Sequence, residues 1–495
     1  MEAKFKKQFT EISEESKLVG ANYVIVNGDA ISEQGFYGYQ DLEKQIKTTD
    51  KTIYRIASIS KIVVGMGVMK LVEEGKLDIY DDIQDILGFP IRNPKYPDSP
   101  ITVKMLLTHT SSITDGYDDE DPANDDKIVG YNGVNGTSKP VTLADILVPN
   151  KSKYWTDLTY SKYEPGEYFI YSNFGTGILT CIIEKITHEY FTDWIKKTIL
   201  DKLEMDASFN PRDIKGIEHG SSIYKRDLIN DDYKLSRTFA SFVERFYPKF
   251  PLGENYRGPA GGLFTSMEDL AKILIVLLNE GKYKDIRILK KETVEFMSQF
   301  HWFGNPEDSS YKAKGLSLKL TTDYGPRILR GHTGSAYGVI SCMFYSLEQK
   351  VGICFITNGG HITYNIDNKA DLLTEILKEF TKTFICGEKK HTFVIDLLGK
   401  ESKLDERTIY MPTKVVKECC EYYVPALTIA EGLLEIPRMT DNYIEIEKNR
   451  ISQILSLWGG AVKEVDGFLL LPVKKVLNSL RLEYQIDENK IVITY

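Results

Sequence analysis

Apolar positions along the chain switch between a period of two and a helical period, and the switches mark its elements. Residues 18–39, "LVGANYVIVNGDAISEQGFYGY", are two β-rich runs about Asn27-Gly28-Asp29. Asn-Gly accepts the positive φ of a tight turn, so a hairpin is predicted there. From 58 to 74 the spacing becomes helical, with Ile59, Ile62, Val63, Met66, Met69 and Val72 on one side and Gly75 as the stop. Between about 76 and 240 the pattern is one of loops and helices. From 258, "GPAGGLFTSMEDLAKILIVLLNEGK" is a Gly-rich entry, a capping box at Thr265-x-x-Glu268, and a helix ending at Gly281. "GLSLKL", "GVISCMFY" and "VGICFIT", within 315–358, read as strands, and a helix follows over about 366–384.

This order predicts a mixed α/β fold, one sheet assembled from both ends of the chain with helices on its faces. The composition changes near "CGEKKH", 386–391. Beyond it, "NYIEIEK", "GFLLLPV", "SLRLEYQI" and "KIVITY" predict a small β-rich domain over 390–495, with one helix around 413–423.

A chain of 495 residues is long enough for two to four domains at roughly 150 residues each. The formal charge of −9 supplies no basic field for nucleic acid or anionic lipid, so neither is expected as a partner. "MEAKFKKQFTEISEESKLVG" lacks the apolar core of a secretory signal, and the densest apolar run, "ILIVLL", is too short to span a bilayer. A cytoplasmic protein is the expectation. The six cysteines show no C-x-x-C spacing, and Cys419-Cys420 reads as two thiols on a helix. The histidines form no H-E-x-x-H, so no metal is expected.

Candidate chemistry begins at "RIASISKIVVGMG", 55–67. Serine becomes a nucleophile when a base takes its proton, and lysine is such a base when its amine is neutral. The i, i+3 spacing puts Ser58 and Lys61 on one helix face. At the first turn the Ser58 amide is unpaired and able to face a developing oxyanion, and burial with nearby positive charge lowers a lysine pKa. By itself S-x-x-K reads as a cap beside a surface lysine; Ser222-x-x-Lys225 and Ser309-x-x-Lys312 share the spacing without starting a strong apolar helix.

Two distant stretches change that reading. "EPGEYFIYSNFG", 164–175, contains Tyr171-Ser172-Asn173, the one Y-x-N of the chain, and "RGHTGSAYG", 330–338, leads into a β-run. In the order S-x-x-K, Y-x-N, [KH]-T-G, the chain resembles the penicillin-recognising serine hydrolases: class C β-lactamases, soluble DD-carboxypeptidases, D-aminopeptidases and β-lactamase-fold esterases. "MLLTHTSSI" (105–113) and "GPAGGLFTSMEDLAK" (258–272) look similar as well. The resemblance covers about 18–384.

It implies a β-lactamase/transpeptidase-like α/β/α sandwich with an antiparallel sheet, occupying 1–386 with a helical insertion at about 76–240. Ser58 would be the acylated nucleophile and Lys61 its base. Tyr171 would shuttle the proton to the leaving group and activate the deacylating water, and Asn173 would bind the substrate amide. His332 and Thr333 would flank the site, Gly334 would leave room for substrate along the strand, and the amides of Ser58 and Ser335 would form the oxyanion hole. No metal or organic cofactor is implied. His332 stands where most β-lactamases carry lysine, which shifts the expected substrate from β-lactams towards D-amino-acid peptides or amides, or esters. The alternatives are a carboxylesterase on the same fold and a non-catalytic penicillin-binding or sensor protein.

His109 in "LLTHTSS" offers a triad base, but reads better as a buried histidine tying down its loop. The acidic stretch 115–126 lacks EF-hand order and reads as a solvated loop. Tyr154, Trp155, Tyr160 and Tyr163 suit a substrate cleft and a packed insertion equally.

Overall fold

A computed structural model describes residues 2–116, 130–135, 137–227, 232–245, 248–304, 311–365, 369–385, 387, 389–458 and 460–495. The chain folds as two compact units, residues 1–290 with 331–383 and residues 291–330 with 384–495.

In the first unit, helix α1 (Glu2–Glu15) precedes the hairpin of β1 (Gly20–Asn27) and β2 (Ala30–Asp41). The turn falls at Gly28-Asp29, with Asn27 opposite Ala30 and Gly28 at φ 63°. The sheet continues through a short strand β3 (Ile46–Lys47) on one side. On the other lie β6 (Val351–Thr357), β5 (Val339–Ser346) and β4 (Leu329–Ala336). β1 thus pairs antiparallel with both β2 and β6, strands from opposite ends of the chain.

Side-chain alternation decides which face each helix covers. Tyr23 stands opposite Phe355, and Phe9 of α1 packs against both rings, with centroids 4.6 and 6.4 Å away. Val26, of the other parity, stands opposite Gly352, where Leu274 of helix α5 (Met267–Leu278) makes its approach. Helices therefore cover both faces of a mixed α/β sandwich. Helix α2 (Ser60–Glu73) is buried along most of its length, and Gly67 lets it close on Ile183 of helix α4 (Asn173–Thr187). Helix α3 (Val103–Thr108) also packs on α4. Among the described residues no helix is long and apolar enough to cross a membrane.

Several expectations shift. The cap of α5 is Ser266, accepting from the Asp269 amide, because Thr265 is held in a short strand opposite Tyr54. "GLSLKL" is a hairpin, Gly315 opposite Leu318, with Ser317 at φ 57° in the turn. The helix predicted around 413–423 is a hairpin too. Strands Val416–Glu418 and Glu421–Pro425 flank Cys419-Cys420, and Cys419 at φ 52° reverses the chain. The exposed thiols therefore sit on a two-residue turn, and the helix begins at Ala426. β-branched and aromatic residues, Val415, Val416, Tyr422 and Tyr423, tip that segment towards strand. The hairpin of Ile223–Asp227 and Asp232–Arg237, inside the helical insertion, was not foreseen.

In the second unit, residues 291–330 pack with the C-terminal segment through buried polar links. Glu431, fully buried, takes Arg330 Nη2 at 2.9 Å, an Arg407 nitrogen, and the Phe300 amide at 3.0 Å. Gln299 bonds the Tyr410 backbone at both its ends, 2.8 and 2.9 Å. Such a carboxylate is tolerated in the interior because both of its oxygens are satisfied.

The α1 contact is testable. Phe9 is 1% exposed, so Phe9→Ala should cost about 3–5 kcal/mol of stability. Thermal unfolding should show a clearly lower midpoint, and an unchanged midpoint would contradict the packing described.

Candidate active site

Ser58 stands on a turn that the fold holds from three sides. The 3₁₀ segment Ala57–Ile59 runs directly into α2, and Ala57 adopts φ 53°, a left-handed conformation costly for a residue with a Cβ. Ser60 Oγ donates to Ala57 O at 2.6 Å and accepts from the Leu263 amide at 3.1 Å. The Ile56 amide donates to Leu263 O, and Ser341 Oγ of β5 donates to Ile56 O at 2.9 Å. Within Ala57–Met69, Ser58 is the residue left partly exposed, its neighbours on either side being buried.

Lys61, one turn on, is buried, and its Nζ has three partners: Ser58 Oγ at 3.1 Å, Asn173 Oδ1 at 2.8 Å and Ala260 O at 2.8 Å. Tyr171 Oη donates to Ser58 Oγ at 2.8 Å, and its ring lies 4.8 Å from Lys61 Nζ. Burial strips water from the ammonium and brings the Lys61 pKa down from 10.5 to about 7. The nearby Arg55 pushes the same way, and the attraction of Asp115 opposes both.

The sequence "YSN" serves by starting α4. Ser172 is the N-cap, accepting from the Gly175 amide at 2.9 Å, so Tyr171 and Asn173 flank the cap and both reach the Ser58–Lys61 pair. Asp115 sits under this first turn and receives the Asn173 and Phe174 amides at 3.1 and 2.8 Å. A carboxylate there is favoured by the helix dipole. The Asn173 amide is engaged by the protein at both ends, Oδ1 by Lys61 and Nδ2 by Asp115. One lone pair and one N–H remain for anything else.

β4 carries His332, Thr333, Gly334 and Ser335. His332 is buried, its Nδ1 against Thr333 O and its ring 6.1 Å from that of Tyr171; Thr333 is half-buried and Ser335 exposed. Gly334 packs closely against protein on the side where a side chain would stand. A Cβ there would lie 2.3 Å from Ser341 Oγ and 2.8 Å from Ile56 O, so its bareness admits the nucleophile turn against the strand.

His109 takes the structural role. It ends α3 at φ 60°, its Nδ1 accepts from the Ser172 amide at 3.3 Å, and its carbonyl accepts from Ile170. Tyr160 is core, bonding Leu147 O at 2.9 Å, and Tyr163 stacks on Tyr168. Ser222 hydrogen-bonds Asp41 beside a strand, far in kind from a helix start. Ser309 and positions 117–126 of the acidic stretch lie outside the described residues. Among the described residues no three His, Cys, Asp or Glu side chains converge to hold a metal ion.

Asp115, Arg55 and Ala260 were missed. Asp115 opens the acidic stretch and directly follows "LLTHTSSIT", a position that separates it from the solvated run. Ala260 acts through its carbonyl, which no letter of the sequence announces.

The arrangement can deliver a serine proton to an amine. A neutral Lys61 has two N–H groups and one lone pair. Two carbonyl oxygens, which only accept, take the two N–H groups, and the lone pair is left for Ser58.

A family model, Beta-lactamase, matches residues 5–375. The chain belongs to the Beta-lactamase family. As a member it is a β-lactamase-related serine hydrolase. It is 29% identical over 409 residues to Protein flp of Staphylococcus aureus (strain N315), spanning 81% of this chain and 70% of that protein. The octameric penicillin-binding protein homologue from Pyrococcus abyssi superposes over 99% of both chains with TM-score 0.58 and 21% identity. D-amino acid amidase from Ochrobactrum anthropi SV3 superposes over 77% of this chain and 99% of its own, with TM-score 0.55 and 21% identity. At these identities the two structures share the fold of this Beta-lactamase family member.

Gly334→Ala tests the close approach of β4 to the Ser58 turn. A displacement of about 1 Å at a nucleophile costs roughly 10²-fold in rate. Labelling of the variant by a fluorophosphonate should slow by that order with the fold retained, whereas labelling at the wild-type rate would show slack at this contact.

Proposed function

We propose that the chain hydrolyses amide or peptide bonds next to D-amino-acid residues through an acyl-Ser58 ester. The observation that carries this reading is the pairing of Ser58 Oγ with both Lys61 Nζ and Tyr171 Oη. Ser58 Oγ attacks the substrate carbonyl while its proton passes to neutral Lys61. The tetrahedral oxyanion is received by the backbone amides of Ser58 and Ser335, an interaction worth about 3–4 kcal/mol where such holes have been dismantled. Tyr171 relays the proton to the leaving nitrogen, the C–N bond breaks, and the acyl-Ser58 ester remains. Water activated by Tyr171 then attacks that ester, releasing the acid and returning the proton to Ser58. Asn173, Thr333 and Ser335 line the place of the substrate, and His332 supports the strand beside it.

Two features support an amide substrate with a D-residue over an efficiently turned-over β-lactam. His332 replaces a permanent cation on β4 with a ring that is neutral in its ordinary state at pH 7. The fold is shared with a D-amino acid amidase, an enzyme of that substrate class.

Incubation with a fluorescent penicillin and with a fluorophosphonate, followed by mass spectrometry, should place the adduct on Ser58. Labelling that survives Ser58→Ala would contradict the mechanism. With Lys61 at about 7, acylation should rise with pH through that value as the amine loses its proton. Lys61→Ala should lose about 10²–10⁴-fold in acylation, the usual worth of a general base. D-amino-acid amides should be turned over in preference to short-chain nitrophenyl esters. The reverse preference would make the chain a carboxylesterase, and labelling without turnover of either would make it a penicillin-binding sensor.

A further inference from the structure

The Asp115 carboxylate is 5% exposed and accepts four hydrogen bonds. Oδ1 takes Ser172 Oγ at 3.1 Å and the Phe174 amide at 2.8 Å, and Oδ2 takes the Asn173 amide at 3.1 Å and Asn173 Nδ2 at 2.8 Å. The first three secure the start of α4, as a capping carboxylate does. The fourth differs, because it falls on a side chain that touches Lys61.

A side-chain amide has a donor end and an acceptor end, and either can be turned to a given neighbour. A carboxylate whose lone pairs already receive other donors can face only the donor end. Asn173 must therefore give Nδ2 to Asp115, which turns Oδ1 to Lys61 Nζ at 2.8 Å. We propose that Asp115 is a positioning residue for acyl transfer: by fixing the direction of the Asn173 amide, it makes the lone pair of neutral Lys61 face Ser58. This rests on the reading of Lys61 as the base.

The consequence of reversing that amide follows from counting donors. Ala260 O occupies one N–H of neutral Lys61 in either case. With Oδ1 inward, Asn173 occupies the second N–H and the lone pair meets Ser58 Oγ. With Nδ2 inward, Asn173 would donate into the lone pair, and Ser58 would face an N–H that cannot accept its proton. One amide rotation thus switches the base on or off, and the choice is made behind Asn173, at a residue that touches neither Ser58 nor Lys61 Nζ by hydrogen bond.

Asp115 also acts on Lys61 by charge. The groups bearing on the amine are Ser58 on the 3₁₀ turn just before its helix, Asn173 and Tyr171 at the start of α4, the Ala260 carbonyl, the guanidinium of Arg55 and the carboxylate of Asp115. The carboxylate holds the Lys61 proton more tightly and the guanidinium less so. Loss of the charge at 115 therefore lowers the pH at which Lys61 becomes neutral.

Asp115→Asn in the full chain separates these effects from a structural role. Rates of fluorophosphonate acylation across the pH range should fall roughly 10²-fold, the order of a general base's contribution, and the acid limb should move to lower pH. The exchange variant Asp115→Asn/Asn173→Asp keeps a matched donor and acceptor between the two positions but sets the charge directly on Lys61, so its acid limb should move to higher pH. A folded Asp115→Asn protein with a wild-type rate and an unmoved acid limb, beside an inactive Lys61→Ala, would overturn the positioning role alone. Normal acylation in Lys61→Ala would overturn the base assignment beneath it. Should Asp115→Asn fail to fold, the exchange variant decides, and an acid limb unchanged there contradicts the proposal.

Discussion

An amine inside a protein serves as a base when it is kept dry and its N–H groups are already committed. Lys61 meets both conditions, and the rest of the first unit is arranged around them. Three separate segments meet at Nζ: the 3₁₀ turn leading into α2 brings Ser58, α4 brings Asn173, and the Gly-rich entry to α5 brings the Ala260 carbonyl. Removal of any of these would leave a buried polar group without its partner, a cost of about 1–3 kcal/mol before any effect on chemistry.

The surrounding fold tolerates conformations that only a rigid frame can hold. Ala57 sits in left-handed space immediately before the nucleophile, a strain of about 1–3 kcal/mol. Glycine at 334 admits that turn to the strand, and Ser60 and Ser341 lock its carbonyls. Lys61 itself opposes stability at neutral pH. Its folded pKa lies below the unfolded one, so the folded state binds fewer protons between about 7 and 10.5, and stability on its account rises with pH across that window. Sites of this kind trade stability for reactivity.

Much of this was legible in the sequence. Asn27-Gly28 fixed a hairpin because few dipeptides accept that turn, and the apolar period of residues 58–74 located α2 with the serine and lysine at its start. The order of S-x-x-K, Y-x-N and H-T-G pointed to residues more than a hundred positions apart that meet at one oxygen, as Tyr171 and Lys61 do at Ser58 Oγ. What escaped was of three physical kinds. Backbone groups such as the Ala260 carbonyl carry no side-chain signature. Asp115 was hidden by the composition of the acidic run it opens. At 413–423 the helical expectation overlooked the β-branched and aromatic residues on either side of a two-residue turn at Cys419-Cys420, which reverses the segment. Gly334 was noticed for its strand, but its close approach to the Ser58 turn was not: a Cβ there would meet Ser341 and Ile56.

The central claim is that Lys61 is neutral over much of the range in which the enzyme works. It is tested most directly by following the carbon-13 shift of the Lys61 Cε against pH in the folded protein, with the signal assigned through Lys61→Arg. The account predicts a titration midpoint of about 7. A midpoint near the ordinary lysine value of 10.5 would mean that the amine keeps its proton, and would contradict it.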